Sequence, residues 1–138
     1  MKDADADVRQ AVAMSLVAIG EGAGAWMDAL STDGDTAVRR AALAATTGLA
    51  PDEAARRLRA RLVDGADEDK EFIAWLLMDV PGRESIDALI AGLSDKSAGG
   101  VAHIVLQQKS GENLGPDVAT WTAWADKAFP PAPQPADK

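Results

Sequence analysis

Leu30, Leu62 and Leu93 each stand just ahead of an acidic turn, in the strings Leu30-Ser31-Thr32-Asp33, Leu62-Val63-Asp64 and Leu93-Ser94-Asp95. The intervals between these leucines are nearly equal. At a similar interval Asp7-Val8-Arg9-Gln10-Ala11 returns loosely as Ala37-Val38-Arg39-Arg40-Ala41. A segment of this length is too small to bury its own apolar face, so successive units must cover one another. The repeat therefore predicts an α-solenoid, with units over about 5–32, 33–64, 65–95 and 96–129.

Helical spacing of apolar residues runs through every unit, which makes the fold class all-α. In the first unit Val8, Ala11, Val12, Leu16 and Ile19 share one face, and Gly20 is a natural stop. A short partner helix near 23–30 turns Trp26, Ala29 and Leu30 inward. The second unit buries Val38, Ala41, Ala42, Ala45 and Leu49. Pro51 then opens a helix with Asp52 and Glu53 in its first turn and Ala54, Leu58 and Leu62 inward. In the third unit Phe72, Ile73, Leu76, Leu77 and Val80, flanked by Trp75 and Met78, are apolar around more than half a helix, which predicts the most buried helix of the chain. After the Pro81-Gly82 turn come Ile86, Leu89, Ile90 and Leu93. The fourth unit starts poorly at Gly99 and Gly100. It runs to about Gln108 and closes with a helix from Pro116 to about Phe129, in which Trp121 or Trp124 seals the end. Residues 130–138 form a Pro-rich tail expected to be extended and disordered.

Charge is distributed by unit. The net charge is −8, but residues 1–35 carry seven acids and two bases, residues 36–63 six arginines and two acids, and residues 64–95 nine acids and two bases. Six of the eight arginines therefore lie between residues 39 and 61. The overall acidity speaks against general binding to nucleic acid or anionic lipid, which depends on excess Lys and Arg. No apolar run approaches the roughly 20 residues of a membrane span. Met1-Lys2-Asp3-Ala4-Asp5 has no apolar leader, so the chain is expected to be cytoplasmic if complete, or else the C-terminal part of a larger protein. With no cysteine, thiolate zinc sites and thiol nucleophiles are excluded.

Few residues suggest chemistry. His103, the single histidine, lies among Val101, Ile104 and Val105 with no nucleophile or carboxylate constellation beside it, and reads as structural. Asp3-Ala4-Asp5-Ala6-Asp7 mimics the start of a calcium loop but has Val8 where the glycine belongs and Met14 at the twelfth position. It and the 64–69 acidic cluster read as acidic turns before helix N-termini. No catalytic residue, cofactor or metal is expected, and a small-molecule ligand is not expected either. The candidate surface is the block Arg56, Arg57, Arg59 and Arg61. With Ala54, Leu58 and Leu62 inward, Arg56 points most directly outward, Arg57 and Arg59 flank it, and Arg61 lies nearer the packing edge. Arg56, Arg57 and Arg59, with Trp26, are the candidate partner-binding residues. Such a strip suits an acidic or phosphorylated segment of a protein partner, while a solvated face complementing the acidic units is the plainer reading.

The pattern resembles the HEAT-repeat family, in particular its short bacterial members. The likeness is carried by Asp5, Asp7, Val8, Arg9 and Ala11, by Asp33, Asp35, Val38, Arg39 and Ala41, and by the Leu-x-x-Asp ends of the second helices. Gly111 to Asp117 followed by Trp121-Thr122-Ala123-Trp124 looks like a closing helix found after arrays of such repeats. The third and fourth units depart from the pattern, with Glu71-Phe72 and Val101-Ala102 where Val-Arg would stand. The resemblance implies a right-handed superhelix of about four antiparallel helix pairs, with second helices lining a concave groove. It implies arginines at 9 and 39 that tie units together, Asp33 or Asp35 suiting Arg39. It implies a non-catalytic scaffold or adaptor for protein–protein interaction. The alternatives are an accessory, lyase-like domain handling a cofactor or small molecule, and a helical solenoid binding nucleic acid.

Overall fold

Local chemistry sets where the helices start and stop. The computed structural model describes residues 5–130, and among these there are eight α-helices and no strand. They are α1 (Ala6–Ile19), α2 (Gly24–Leu30), α3 (Thr36–Thr46), α4 (Pro51–Asp64), α5 (Asp67–Leu76), α6 (Arg83–Gly92), α7 (Gly99–Ser110) and α8 (Val118–Ala128). Asp35 and Asp117 are extended at the N-caps of α3 and α8, where their carboxylates accept from the N–H groups of Val38 (3.2 Å) and Thr120 (2.9 Å). The Asp117 cap is why α8 begins after Pro116 rather than at it. Pro51 occupies the first turn of α4, where its missing N–H costs nothing. Gly82, at φ +97°, makes the turn into α6. No helix among the described residues is long and apolar enough to cross a membrane. Asp3 of the acidic run and the tail residues 131–138 lie outside the described residues.

The helices pack in two successions. α1 lies on α3, α3 on α5 and α5 on α7, while α4 lies on α6 and α6 on α8. Burial follows the sequence period. Ala13, Leu43 and Ala74 are buried at equivalent places in successive units, as are Leu16, Thr46 and Leu77. Ala23, Ala54 and Ser85 recur buried in the same register, as do Met27, Leu58 and Leu89. The repeat in the primary structure is thus a repeat of core positions.

Several expected stripes turn out rotated. Among the described side chains of α1, Ala13 and Leu16 are buried, whereas Val8, Ala11 and Ile19 are exposed. In α2 a 3₁₀ turn over Gly20–Ala23 resets the helix phase, so Gly24, Met27 and Leu30 point inward and Trp26 and Ala29 point out. α5 is not the most buried helix. Trp75 is exposed and Phe72 is not fully buried, with the Arg40 guanidinium 5.3 Å over its ring, while α6, held between α4 and α7 and against α8, buries six of its ten residues.

A ladder of cations runs along the repeat, its first two rungs crossing from one unit to the next. Arg9 Nε donates to Asp33 at 2.8 Å, Arg39 Nε to Asp69 at 2.7 Å, and Lys70 Nζ to Asp95 at 2.7 Å. Arg9, Arg39 and Lys70 stand one period apart, so this is one position of the repeat used three times. The middle rung differs from expectation. Arg39 donates to the Asp33 main-chain carbonyl (3.0 Å), but its carboxylate partners are Asp69 and Glu68, not Asp33 or Asp35. Asp33 already holds Arg9, and Asp35 caps α3. Asp69 is 2% exposed and also meets Arg40.

The far end is closed by rings and long cations. Trp121 is fully buried, its Nε1 donates to the Gly115 carbonyl at 2.7 Å, and it meets Trp124 edge-on at 5.6 Å. Phe129 continues the series at 6.2 Å from Trp124. Arg83 donates to the carbonyl of Ala125 and to Asp126, fastening α8 to α6.

Candidate functional site

Amphipathicity positions the arginine block. α4 buries Ala54, Ala55, Leu58 and Leu62, which leaves Arg56, Arg57, Arg59 and Arg61 no route into the core. Together with α2, the helix walls an open groove of about 510 Å³ lined by Asp28, Ala29, Thr32, Arg56, Arg57, Ala60 and Arg61. The groove thus runs between α2 and α4.

The four guanidiniums have different surroundings. Arg57 is engaged internally. It donates to the Gly24 carbonyl at 3.0 Å, pairs with Asp28 across the groove and meets Glu53 one turn back at 3.0 Å. The hydrogen bond to Asp28 holds its pKa above the usual arginine value, against the effect of burial. Gly24 makes this possible, because a Cβ there would overlap the guanidinium. Arg56 and Arg61 face the groove with no ion pair among the described residues. Arg61 also borders a second, smaller hollow with Asp33, Asp64 and Glu68. Arg59 is exposed and unpaired among the described residues but does not line the groove. Trp26 is half exposed on α2 and likewise does not line it.

The helix is the one that the sequence predicts, with its residues grouped differently. The groove brings Arg56, Arg57 and Arg61 together and leaves out Arg59 and Trp26. Arg61, expected nearer the packing edge, is one of the two unpaired cations of the groove. The signal for it is its spacing of four from Arg57, which places both on one face.

The remaining polar groups have structural partners. His103 Nε2 is 2.7 Å from the Leu114 carbonyl, and its ring meets Trp121 edge-on at 6.4 Å. Lys109 donates to the carbonyls of Leu77, Met78 and Val80 at 3.1, 3.2 and 2.7 Å, closing the end of the 3₁₀ turn Leu77–Asp79. Burial pushes its pKa below the ordinary lysine value, with Asp79 acting in the opposite sense. Among the described residues no group of three or more His, Asp or Glu side chains could hold a metal ion.

No family model matches this chain, and neither does any curated protein or solved structure.

Proposed function

We propose that this chain is a non-catalytic protein-interaction module, a right-handed α-solenoid of four HEAT-like helix pairs. Its groove between α2 and α4 takes an acidic segment of a partner protein. The solenoid part is supported by the packing of α1 on α3, α3 on α5, α5 on α7, α4 on α6 and α6 on α8, and by the recurrence of core positions along the chain. The functional part rests on one observation. Arg56 and Arg61 are two guanidiniums without an internal carboxylate, on one wall of an open groove whose other wall is a second-type helix. Arginine's planar fork suits paired capture of carboxylate or phosphate oxygens. The acidic units on both sides would guide an acidic ligand to this strip and repel it elsewhere.

The test is titration with a polyglutamate peptide and, separately, a phosphoserine-rich peptide, against the full chain and Arg56→Glu/Arg61→Glu. One or both peptides bind the parent, the affinity falls with added salt, and the double variant loses it while its circular dichroism is unchanged. Equal binding by parent and variant, or none by the parent, removes the groove from consideration. Retention on DNA or RNA that disappears in the same variant would turn the reading toward nucleic acid.

A further inference from the structure

Two hollows of the molecule are one place in the repeat used twice. The hollow between α1 and α3 is walled on α3 by Ala37, Arg40, Ala41 and Ala44. One period later the same register on α5 reads Glu68, Glu71, Phe72 and Trp75, and these line a hollow of about 680 Å³ that Arg40 bounds from α3. Alanine serves on α3 where α5 carries Phe72 and Trp75, so the fold does not call for two aromatic rings there. Trp75 is nevertheless kept 43% exposed. This second hollow lies inside the succession of helices, with α3 on one side and the approach to α7, at Lys96 and Ser97, on the other.

One half of the wall already seats a guanidinium. Arg40 lies 5.3 Å over the Phe72 ring, its Nε meets Asp69 at 3.3 Å and its Nη2 donates to the Glu68 carbonyl at 2.9 Å. A ring beneath and a carboxylate beside are what a planar cation needs. Glu71 and Trp75, one turn of α5 apart, are the same combination on one helix face. Here the seat is empty. Among the described residues Trp75 has no cation over its ring and no partner for its indole N–H, and Glu71 has no ion pair. The neighbouring carboxylates are taken, Asp67 by Lys70 and Glu68 by Arg39, which leaves Glu71 to act for the hollow. Lys96 on the other side is exposed and likewise has no ion pair among the described residues. Trp26 gives the contrast. It is also open, at 51%, but has Gly22 where Trp75 has Glu71.

We propose that this hollow binds an arginine of a partner protein, presented in an exposed segment that carries an acidic residue close by. The guanidinium stacks on Trp75 and bonds to Glu71, as that of Arg40 does on Phe72 and Asp69, and the acidic residue reaches Lys96. Arginine suits the seat better than lysine, because its planar, weakly hydrated head both stacks and forks. Lys96 disfavours a purely basic segment by repulsion. The hollow shares no residue with the α2–α4 groove and seeks the opposite charge, so this inference does not depend on the groove reading.

The probe is the peptide acetyl-Gly-Arg-Gly-Glu-Gly-amide, added to the full chain while the indole N–H resonances of its four tryptophans are followed. The Trp75 resonance should move saturably and that of Trp26 should stay. Citrulline in place of the probe's arginine keeps the shape without the charge and should not bind. Glu71→Gln should weaken binding about threefold, as an exposed ion pair allows. Glutamine in place of the probe's glutamate should also weaken it, and Lys96→Gln should erase that difference. Trp75→Ala, which supplies the residue that serves at Ala44, should end binding by calorimetry with circular dichroism unchanged, while Arg56→Glu/Arg61→Glu should leave it intact. The proposal is overturned if no saturable shift occurs, if the citrulline peptide binds equally, or if binding ignores Glu71→Gln and Trp75→Ala. A Trp26 shift as large as that of Trp75 would mean that the peptide stacks on any open indole, and overturns it too. Tighter binding by an all-arginine peptide would remove Lys96 from the site and overturn the proposal as stated.

Discussion

Arg39 and Arg61 are one residue type on neighbouring helices with opposite circumstances. Arg39 is 9% exposed and clamped between Asp69, Glu68 and the Asp33 carbonyl. Arg61 lines a groove and meets no carboxylate among the described residues. The acidic residues at the start of α5 reach the α3 arginines but not the outer wall of α4. A count of arginines therefore overstates the basic surface. Arg9, Arg39, Arg40, Arg57 and Arg83 all hold carboxylates of the chain itself, and Arg56, Arg59 and Arg61 are left to face outward.

The comparison breaks most visibly at Arg39. Arg39→Ala should lower unfolding free energy by about 3–5 kcal/mol, because Asp69 stays buried with only the more distant Arg40 as its partner. Urea denaturation measures it. A loss under about 1 kcal/mol would mean that Arg40 alone satisfies Asp69. Arg39→Met combined with Asp69→Leu should recover part of the loss, since an apolar pair needs no charge compensation. A double variant no better than the single one would show that Arg39 acts through Glu68 and the Asp33 carbonyl instead.

The ladder also sets a pH range. The hydrogen bond from Arg9 holds Asp33, and that from Lys70 holds Asp95, below the ordinary aspartate value of 3.8. Each carboxylate contributes stability that is complete above 3.8 and lost as pH falls through its lower folded pKa. Lys70, held above 10.5 chiefly by its hydrogen bond to Asp95, contributes stability complete below 10.5 and lost as pH rises through its folded pKa. Thermal melts should therefore fall below the acid limit and above the alkaline one, while Lys109, whose folded pKa burial lowers, adds a gain in stability as pH rises from that folded pKa towards 10.5. Asp95→Asn should weaken both flanks, and an unchanged alkaline flank in that variant would separate Lys70 from Asp95.

Arg57 should fall between the extremes. Its pair with Asp28 is partly exposed, so Arg57→Ala is expected to cost only about 1 kcal/mol. Gly24→Ala should displace the same guanidinium and cost a similar amount. If Gly24→Ala is silent while Arg57→Ala is not, the contact with the α2 main chain contributes little. Smallest of all, Arg56→Ala and Arg61→Ala should each stay within about 0.5 kcal/mol of the parent, and a larger loss at either would mark it as structural.

Much of the architecture is legible in the sequence because its causes are local. Helical spacing, Pro51 at the start of α4, the acidic cap before α3 and the recurrence of Leu30, Leu62 and Leu93 all act within one helix or one period. The phase of α2 is not legible, because the 3₁₀ turn over Gly20–Ala23 moves Trp26 outward without leaving a mark in the apolar pattern. The same holds for α5, whose apolar circumference says nothing about how much of it neighbours will cover. For the site, sequence reaches α4 and its outward arginines. Which of them are free depends on carboxylates brought up from other helices. Asp28 reaches Arg57 from α2, and Asp69 reaches Arg39 from α5. The number of arginines and the period of the repeat are properties of the chain as written. The pairing of each charge is a property of the packed helices, because an ion pair a few ångströms long exists only once distant segments have been brought together.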